Sequence, residues 1–320
     1  MKNIGILTSG GDCPGMNAVV RSFVRTCLYN GITPFGIEAG YRGLIDGHIR
    51  PLESKDASNL LQRGGTVLRS ARCLEFKTKE GQRIALDNIS KNNLDGIVVV
   101  GGDGSLTGAK VLFEDYNIPV IGIPGSIDND IYGTDLAVGV DTALNTIVRS
   151  VDMLNDTASS HDRTFIVEVM GRHCGYLAIT TAVTCGAEAV LIPEVPFNLD
   201  DIIKKIKKRY DEGRSRSVVI VAEGAGSAYD FGKAFELIGG FDTRITVLGH
   251  LQRGGSPTHY DRLLATRMGL SAVELLMEGT HGVMTGWQSG KIVPVPISEV
   301  LSNTKPLDKS LLRMAEIMSR

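Results

Sequence analysis

Short runs of apolar and β-branched residues recur along the chain, and segments with a helical pattern separate them. Each run is four to six residues long, which fits a strand that is buried on both faces of a parallel sheet. The alternation predicts an α/β fold with doubly wound, mainly parallel sheets and right-handed crossovers. The seven predicted strands cover residues 4–7, 96–100, 120–123, 164–169, 189–192, 217–222 and 245–248. The clearest helical patterns cover residues 16–30, 106–113, 136–156 and 200–209.

The pattern of strands and helices restarts after the long helix that begins near Asp141, and no low-complexity linker separates the two halves. We therefore expect two α/β domains, with the chain crossing between them near Ala137 and again near Arg253. The predicted domains are 1–138 with 252–304, and 139–251 with 305–320.

The composition, net charge and cysteine pattern indicate a globular protein and exclude several other classes. The chain has 320 residues, of which 42% are hydrophobic and 22% charged, as in an ordinary globular protein. A formal net charge of -2 argues against a general nucleic-acid binder, although local basic clusters remain free to hold phosphates. No apolar run has membrane-spanning or signal-peptide length, so we expect a cytoplasmic protein. The five cysteines are scattered without a Cys-x-x-Cys pair, which indicates neither a disulfide framework nor a zinc site.

Residues 121–130, IGIPGSIDND, combine a buried strand with an acidic tip. A hydroxyl at Ser126 and carboxylates at Asp128 and Asp130 follow the Pro-Gly turn. Open α/β sheets bind ligands at the carboxyl ends of their strands, so this tip favours a metal ion or a substrate hydroxyl. A solvated turn is an equally open alternative.

Two Gly-Gly-Asp turns lead from a strand into a helix, one within residues 7–17 and one within residues 98–105. Glycine leaves room for phosphate oxygens, and a helix N-terminus attracts anions. Neither turn matches the Walker or the G-x-G-x-x-G spacing, and a plain glycine turn is the alternative for each. Asp103 in the second turn is an oxygen ligand suited to Mg²⁺ on a nucleotide. Two such turns near one acidic strand tip favour phosphoryl transfer.

Arginines lie near the ends of several predicted strands. Guanidinium groups match phosphate oxygens in pairs, which suits a phosphorylated acceptor, although each arginine alone is more often a solvated surface charge. Glu223 either accepts hydrogen bonds from sugar hydroxyls or caps the next turn. His250 alone is more often structural than catalytic. The candidate arginines are Arg72, Arg163, Arg172, Arg244 and Arg253.

Four segments, spread in this order over nearly the whole chain, resemble the bacterial ATP-dependent 6-phosphofructokinases. The resemblance implies transfer of the γ-phosphoryl group of Mg-ATP to the 1-hydroxyl of fructose 6-phosphate, a step of glycolysis, by a cytoplasmic homotetramer. It implies that the first predicted domain binds ATP, that the second binds the sugar phosphate, and that the active site is the cleft between them. The segments are GGDGS at 101–105, PGSIDND at 124–130, MGR at 170–172 and GHLQRGGSP at 249–257.

The resemblance also implies roles for single residues. Asp128 is the implied general base, and Asp103 is the implied ligand of Mg²⁺. For Asp130, the resemblance leaves open whether the residue binds the metal ion or has a structural role. The implied catalytic residues are Asp128, Arg72, Arg172 and Ser126. The implied ATP site consists of Gly11, Arg72, Cys73, Gly102, Asp103, Gly104 and Ser105. The implied sugar-phosphate site consists of Ser126, Ile127, Asp128, Met170, Gly171, Arg172, Glu223, His250, Leu251, Gln252 and Arg253, with Arg163 and Arg244 from a neighbouring subunit.

Two glycines bear on the phosphoryl donor. Pyrophosphate-using relatives usually carry Asp at the position of Gly104 and Lys at the position of Gly125, so the resemblance implies an ATP user. A carboxylate at position 104 would repel the α-phosphate of a nucleotide. Ser126 stands where most relatives have Thr, which preserves the hydroxyl.

The implied effector site, where ADP activates and phosphoenolpyruvate inhibits at a subunit interface, is incomplete. Asn155 and Glu212 stand at positions that are usually arginine in regulated relatives. A glutamate in place of a phosphate-facing cation inverts the local charge, so we expect weak or absent ADP activation. The retained effector residues are Arg21, Arg25, Gly186, Glu188 and Arg214.

Two other functions fit part of the sequence. NAD kinases and diacylglycerol-type lipid kinases share Gly-Gly-Asp-Gly at a comparable strand tip, but are expected to lack the segments at 124–130 and 249–253. A nucleotide or sugar-phosphate sensor without catalysis is expected to have lost a carboxylate at position 103 or 128, and this chain keeps both.

Overall fold

The computed structural model describes residues 1–158, 163–213 and 217–319. The contacts between its residues divide the chain into two compact units, each made of several segments of sequence. Unit 1 comprises Met1–Ile127, Ile131–Thr142 and Arg253–Lys305. Unit 2 comprises Asp128–Asp130, Ala143–Gln252 and Pro306–Arg320.

Within the described residues, the chain forms eleven strands and eleven α-helices, most of which alternate. The strands are β1 Asn3–Thr8, β2 Thr33–Ile37, β3 Ile49–Pro51, β4 Gly96–Gly101, β5 Val120–Pro124, β6 Thr164–Val169, β7 Ala189–Leu191, β8 Ser217–Ala222, β9 Thr243–Val247, β10 Val283–Gln288 and β11 Lys291–Pro296. The helices are α1 Met16–Tyr29, α2 Tyr41–Asp46, α3 Lys79–Lys91, α4 Asp103–Tyr116, α5 Val140–Ala158, α6 Tyr176–Cys185, α7 Leu199–Asp211, α8 Ala228–Ala234, α9 His259–Met277, α10 Ile297–Ser302 and α11 Lys309–Met318. Within the described ranges, none of these helices has both the length and the apolar character needed to cross a bilayer.

Unit 1 contains a seven-stranded sheet in the order β11-β10-β5-β4-β1-β2-β3. The five strands from β10 to β2 run parallel, while β3 and β11 are antiparallel edge strands. Ile6 of β1 and Val98 of β4 are neighbours in register and have no exposed surface, so apolar burial holds the centre of the sheet. The chain leaves β1 toward β2 on one side and reaches β4 on the other. The sheet therefore has its switch point between β1 and β4, where open sheets of this class bind ligands at the carboxyl ends of the strands.

Unit 2 contains a four-stranded parallel sheet in the order β7-β8-β6-β9. Its core includes Ile166 of β6, Val219 of β8 and Ile206 of α7, none of which has exposed surface. The register pairs Val169 with Ala222 and Glu168 with Val247. The segments that follow β8, β6 and β9 therefore start side by side at one edge of this sheet.

The fold confirms the predicted α/β class, and every predicted strand is present. The pattern missed β2, the short strand β3, and the hairpin of β10 and β11. Each of these strands contains a proline or a glycine, and Pro294 and Pro296 lie in the edge strand β11, where a missing N–H is tolerated. Helix α5 begins at Val140 instead of residue 136, because Gly139 (φ 102°) turns the chain immediately before it. Helix α4 begins at Asp103, three residues before the apolar pattern starts.

Candidate active site

The two Gly-Gly-Asp turns of the sequence lie against each other in unit 1. Strands β1 and β4 are in register, with Thr8 opposite Val100, so the turns that follow them meet. A Cβ added at Gly101 would lie 2.4 Å from the carbonyl oxygen of Ser9, and one added at Gly10 would lie 3.3 Å from the Oγ of Ser105. Gly101 is therefore required for this close approach.

The start of α4 borders open space. A Cβ added at Gly102 or at Gly104 would have no atom within 4 Å, so the packing of the protein does not require glycine at either position. Asp103, the exposed first residue of α4, lies between them. The start of a helix beside open space is a place where phosphate groups bind, so the predicted role of this turn in holding a nucleotide stays a prediction that the geometry allows.

Asp103 fits a magnesium ion that is shared with phosphates. Across residues 1–158, 163–213 and 217–319, no group of three or more His, Cys, Asp or Glu side chains is arranged to hold a metal ion. Mg²⁺ usually takes one or two carboxylates together with phosphate oxygens and water. An exposed carboxylate beside open space fits that requirement, so Asp103 would hold the ion together with the phosphates of a bound nucleotide.

A third segment of unit 1, residues 63–72, is fastened to the first glycine turn by a residue that the sequence did not identify. The buried side chain of Asn17 donates from Nδ2 to the carbonyl oxygens of Arg63 (3.0 Å) and Gly64 (3.1 Å). Its Oδ1 accepts from the N–H of Val67 (2.8 Å). The hydroxyl of Ser70 donates to the Gly10 carbonyl. The exposed Arg72 and the half-buried Cys73 directly follow this anchored segment.

Tyr41 fastens the second turn in a similar way. Its buried hydroxyl donates to the carbonyl oxygen of Ser105 at 2.7 Å, and burial strongly raises the pKa of this phenol. The sequence did not identify Asn17 or Tyr41, because the groups that they bind are distant along the chain. A polar residue on the apolar face of a predicted helix was the one sequence feature that could have indicated such a hydrogen bond.

Arg253 lies on the first glycine turn. Its Nη1 donates to the carbonyl oxygen of Asp12 at 3.2 Å. A Cβ added at Gly11 would lie 2.1 Å from the same nitrogen, so a side chain at position 11 would displace the guanidinium. The resemblance placed Arg253 among the sugar-phosphate residues, whereas its contacts in unit 1 are with a predicted ATP loop.

Asp128, Arg172 and Glu223 come together in unit 2. The Nε of Arg172 lies 3.6 Å from the Oδ2 of Asp128, whose side chain is only 5% exposed. The backbone N–H of Arg172 donates to the Oε1 of Glu223 at 2.9 Å. Arg172 (φ 52°) and Asn129 (φ 54°) both adopt the left-handed conformation, which is uncommon outside glycine and concentrated at functional sites. A nearly buried carboxylate is thus paired with an exposed guanidinium.

Two glycines lock the backbone of Arg172. A Cβ added at Gly224 would lie 1.8 Å from the carbonyl oxygen of Arg172. Gly171 has φ 137°, and a Cβ there would lie 2.2 Å from the carbonyl oxygen of Cys174. The segment after β8 therefore packs directly against the segment after β6. This contact fixes the position of the Arg172 backbone, from which its side chain extends.

Gln252 joins the end of β9 to the end of β6. Its fully buried side chain accepts from the N–H of Met170 (3.1 Å) and donates to the carbonyl oxygen of Gly249 (3.0 Å). Both ends of this amide are bonded within unit 2, which holds the two strand ends together, and the sugar contact that the resemblance implied stays a prediction. The neighbouring implied contacts differ in exposure: Leu251 and His250 are exposed, Met170 is buried, and in unit 1 Ile127 is buried and Ser126 half-buried.

Arg163 and Arg244 form a separate cluster at the opposite edge of the unit 2 sheet. Arg163 precedes β6, Arg244 lies near the start of β9, and both bind Asp242. The Nε of Arg163 and the Nη2 of Arg244 lie 3.1 and 3.2 Å from Asp242 Oδ2, and Arg244 Nη1 also binds Oδ1. Desolvation acts to raise the pKa of Asp242, but the hydrogen bonds and charges of the two arginines lower it overall.

The predicted effector residues are dispersed over the chain. The Nη1 of Arg25 donates to the Oγ of Ser54 at 2.7 Å in unit 1. The Oε2 of Glu188 accepts from the N–H of Val218 at 2.6 Å in unit 2, which ties it to the sheet. The effector residues lie on α1 (Arg21, Arg25), at the end of α6 and just after it (Gly186, Glu188), and outside the described residues (Arg214).

Comparison with known proteins gives consistent matches over the whole chain. The model of the phosphofructokinase family matches residues 3–276. An ATP-dependent 6-phosphofructokinase of Thermotoga neapolitana is 51% identical over 319 residues, and one of Bacillus licheniformis is 49% identical, each with 100% of both chains covered. The solved phosphofructokinase of Saccharomyces cerevisiae has a TM-score of 0.89 at 37% identity, over 100% of this chain and 47% of that chain. A pyrophosphate-dependent phosphofructokinase of Marinobacter aquaeolei shares the fold, with a TM-score of 0.84 at 23% identity.

Proposed function

The chain belongs to the phosphofructokinase family, and we propose that it transfers the γ-phosphoryl group of ATP to the 1-hydroxyl of fructose 6-phosphate, in glycolysis and in the cytoplasm. The observation that carries this proposal is the nearly buried Asp128 carboxylate beside the guanidinium of Arg172. The test is an assay with Mg-ATP that compares fructose 6-phosphate, NAD and a diacylglycerol as acceptors. Turnover of the sugar phosphate alone supports the proposal, and binding without turnover contradicts it.

The proposed reaction needs a proton acceptor and positive charge. As the 1-hydroxyl oxygen attacks the γ-phosphorus, its proton passes to Asp128, the bond from the γ-phosphorus to the bridging oxygen breaks, and ADP leaves. Arg172, together with Arg72, offsets the negative charge that develops on the transferring group. Mg²⁺, held on the nucleotide by Asp103, would neutralise phosphate charge when bound.

The choice of ATP over pyrophosphate rests on two positions in unit 1. The open space at Gly104 leaves room for the remainder of a nucleotide, which an aspartate there would occupy and repel. A Cβ at Gly125 would lie 3.3 Å from the Cε of Met16, so a lysine at this position would require Met16 to move. We therefore propose ATP as the donor.

Replacing Asn17 with Ala is expected to raise the KM for ATP about tenfold, while the KM for fructose 6-phosphate stays unchanged. The substitution leaves buried donors and acceptors of residues 63–67 without partners, at about 1–3 kcal/mol each, which loosens the segment that precedes Arg72. Saturation curves for each substrate measure the effect, and Asn30→Ala at the other end of α1 is the control. A folded Asn17→Ala enzyme with a normal KM for ATP would contradict this role.

We propose that the sugar site is completed by a second subunit of a homotetramer. Arg163 and Arg244 lie at the amino ends of β6 and β9, whereas Arg172 and Glu223 follow carboxyl ends. Six residues of β6 span about 20 Å, which is far longer than a hexose phosphate. The arginines at the amino ends therefore serve the 6-phosphate of a sugar bound to another chain.

Arg244→Ala is expected to raise the KM for fructose 6-phosphate about 10- to 100-fold, because a charge-assisted bond to phosphate contributes about 1.5–3 kcal/mol. The KM for ATP should not change. Initial rates at saturating ATP measure this, with the exposed Arg313→Ala of α11 as the control. An effect confined to ATP affinity would argue against the assignment.

Regulation by ADP is expected to be weak or absent. Asn155 and Glu212 remove two cations from the implied effector site, and a carboxylate repels the phosphates of ADP. Sugar saturation curves with and without ADP or phosphoenolpyruvate should coincide. A sigmoidal curve that ADP converts to a hyperbolic one would show that the effector site works without those arginines.

A further inference from the structure

The short segment that carries Asp128 is bonded to the start of α6. The phenol of Tyr176, the first residue of α6, shares a hydrogen bond with the side chain of Asn129. Asn129 directly follows Asp128, is 1% exposed and has a left-handed backbone (φ 54°). Both residues belong to unit 2. A residue other than glycine keeps this conformation only where its surroundings hold it, and the bond to Tyr176 is one such contact.

Tyr176 is also close to Arg172 along the chain. The segment between them makes a tight turn, in which the N–H of Cys174 donates to the carbonyl oxygen of Gly171 at 2.8 Å. The 3.6 Å between Arg172 Nε and Asp128 Oδ2 is longer than a hydrogen bond, and the arginine side chain is 58% exposed. An exposed pair of this kind is weak, so it does not by itself fix the two residues relative to each other. The bond from Tyr176 to Asn129 joins their two segments directly.

The backbone from which the phenol extends is fixed by the chain after β7. The N–H of Gly175 donates to the Oε1 of Glu194 at 2.7 Å. A Cβ added at Gly175 would lie 2.5 Å from the Cβ of Ile192, so glycine is required for this close approach. The start of α6 is therefore packed against the end of a neighbouring strand, and the Tyr176 side chain has a rigid base.

The surroundings of Tyr176 also keep its hydroxyl protonated. Burial is the main cause that raises the pKa of this half-buried residue above its ordinary value, the charge of Asp308 adds to the rise, and hydrogen bonds oppose it. Asp308 caps α11 by accepting from the N–H of Ser310 at 2.8 Å. Since tyrosine ordinarily titrates near pH ~10, the phenol keeps its proton throughout the neutral range and the bond to Asn129 persists there.

We propose that Tyr176 is a positioning residue, which acts through Asn129 to hold the Asp128 carboxylate in place beside Arg172. The resemblance implies no role for Tyr176. This role rests on the proposed function, because the exact place of Asp128 matters to the rate only if its carboxylate accepts the proton of a substrate hydroxyl. Such a transfer requires a separation of about 2.6–3.2 Å between the two oxygens. A displacement of about 1 Å lowers the rate of a positioned reaction by up to about 10²-fold.

Steady-state kinetics of matched variants test this role. Tyr176→Phe should lower kcat about tenfold while the KM values of both substrates stay within about twofold of the wild type, since the loss falls on proton transfer and not on binding. Asn129→Gly should have the same effect, because glycine adopts the left-handed conformation readily and only the bonded side chain is removed. The double variant should be no slower than either single one. Added to Asp128→Asn, Tyr176→Phe should change kcat by less than about twofold, because the positioned carboxylate is already absent.

Tyr116→Phe is the matched control. It removes a half-buried phenol that donates to the Oε1 of Gln82 at 2.7 Å, at the last residue of α4 in unit 1, and it should keep the kcat of the wild type. Amide hydrogen exchange without substrate, followed by mass spectrometry, gives a second readout that does not depend on the reaction. Tyr176→Phe should speed exchange over residues 128–130 about tenfold, and Tyr116→Phe should leave it unchanged.

The outcomes separate this role from the proposed function. A folded Tyr176→Phe enzyme with normal kcat and normal exchange would overturn the role. Additive losses in the double variant would overturn the connection through Asn129, and a further loss of about tenfold on the Asp128→Asn background would show that Tyr176 acts on a different group. A wild type that turns over no fructose 6-phosphate would contradict the proposed function, and hydrogen exchange would still decide whether Tyr176 holds residues 128–130.

Discussion

Asp128→Asn is expected to lower kcat by about 10²- to 10⁴-fold, with the KM for fructose 6-phosphate close to that of the wild type. Asparagine has nearly the same shape as aspartate, so the neighbouring guanidinium of Arg172 and the left-handed Asn129 keep their places. It cannot accept the proton of the 1-hydroxyl, so the loss falls on the chemical step and not on binding.

Steady-state kinetics at saturating Mg-ATP separate these effects. Asp135→Asn is the control, because it removes a carboxylate from the same stretch of chain at an exposed position. It should leave kcat unchanged. Normal turnover of the Asp128→Asn enzyme would remove Asp128 from the role of base, and a rise in KM alone would reassign it to sugar binding.

The free energy of unfolding is expected to contain a pH-dependent contribution of about 3 kcal/mol from Asp261. This fully buried residue of α9 caps α5: it accepts from the N–H groups of Gly139 (2.9 Å) and Thr142 (2.8 Å) and from the Thr142 hydroxyl (2.5 Å). Thr258, the cap of α9, donates in turn to Asp141 (2.6 Å). The N-terminal ends of α5 and α9 are therefore joined by reciprocal side-chain hydrogen bonds.

Desolvation raises the pKa of Asp261 from 3.8 to about 6; hydrogen bonds from Thr142 and Gly139 oppose this rise, and the charge of Asp141 adds to it. Since the folded pKa is the higher one, the folded state binds the proton more tightly than the unfolded state does. The contribution is complete below about pH 4 and is lost as the pH rises through about 6. Over about 2 pH units, at about 1.4 kcal/mol per unit, this amounts to about 3 kcal/mol.

Denaturant unfolding of the wild type and Asp261→Asn between about pH 4 and 7 measures this contribution. Trp287 is the single tryptophan of the chain and lies in β10 of unit 1, so its fluorescence reports the unit that contains Asp261. The stability of the wild type relative to Asp261→Asn should fall by about 3 kcal/mol as the pH rises. A constant difference would mean that the hydrogen bonds balance desolvation, and a rising difference would mean that they outweigh it.

Local sequence patterns identified residues whose structural role depends on the residues next to them in the sequence. Strands β1 and β4 were predicted because unbroken apolar runs report burial, and Gly10 and Gly101 stood out as glycines between such a strand and a helix. Strand β2 was missed because its proline and glycine mask that signal. Asn17 was missed because the backbone groups that it binds lie 46 to 50 positions further along the chain.

By itself, the sequence determined the α/β class, the glycine turns and the acidic strand tip, since periodicity and turn chemistry are local properties. Only the tertiary structure decided that Gly10 meets Ser105, that Arg172 lies beside Asp128, and that Arg244 lies at the opposite edge of its sheet from both Arg172 and Glu223. Strand order and register fix these relations. They arise from packing between segments that are far apart in sequence, which the apolar pattern of each segment does not encode.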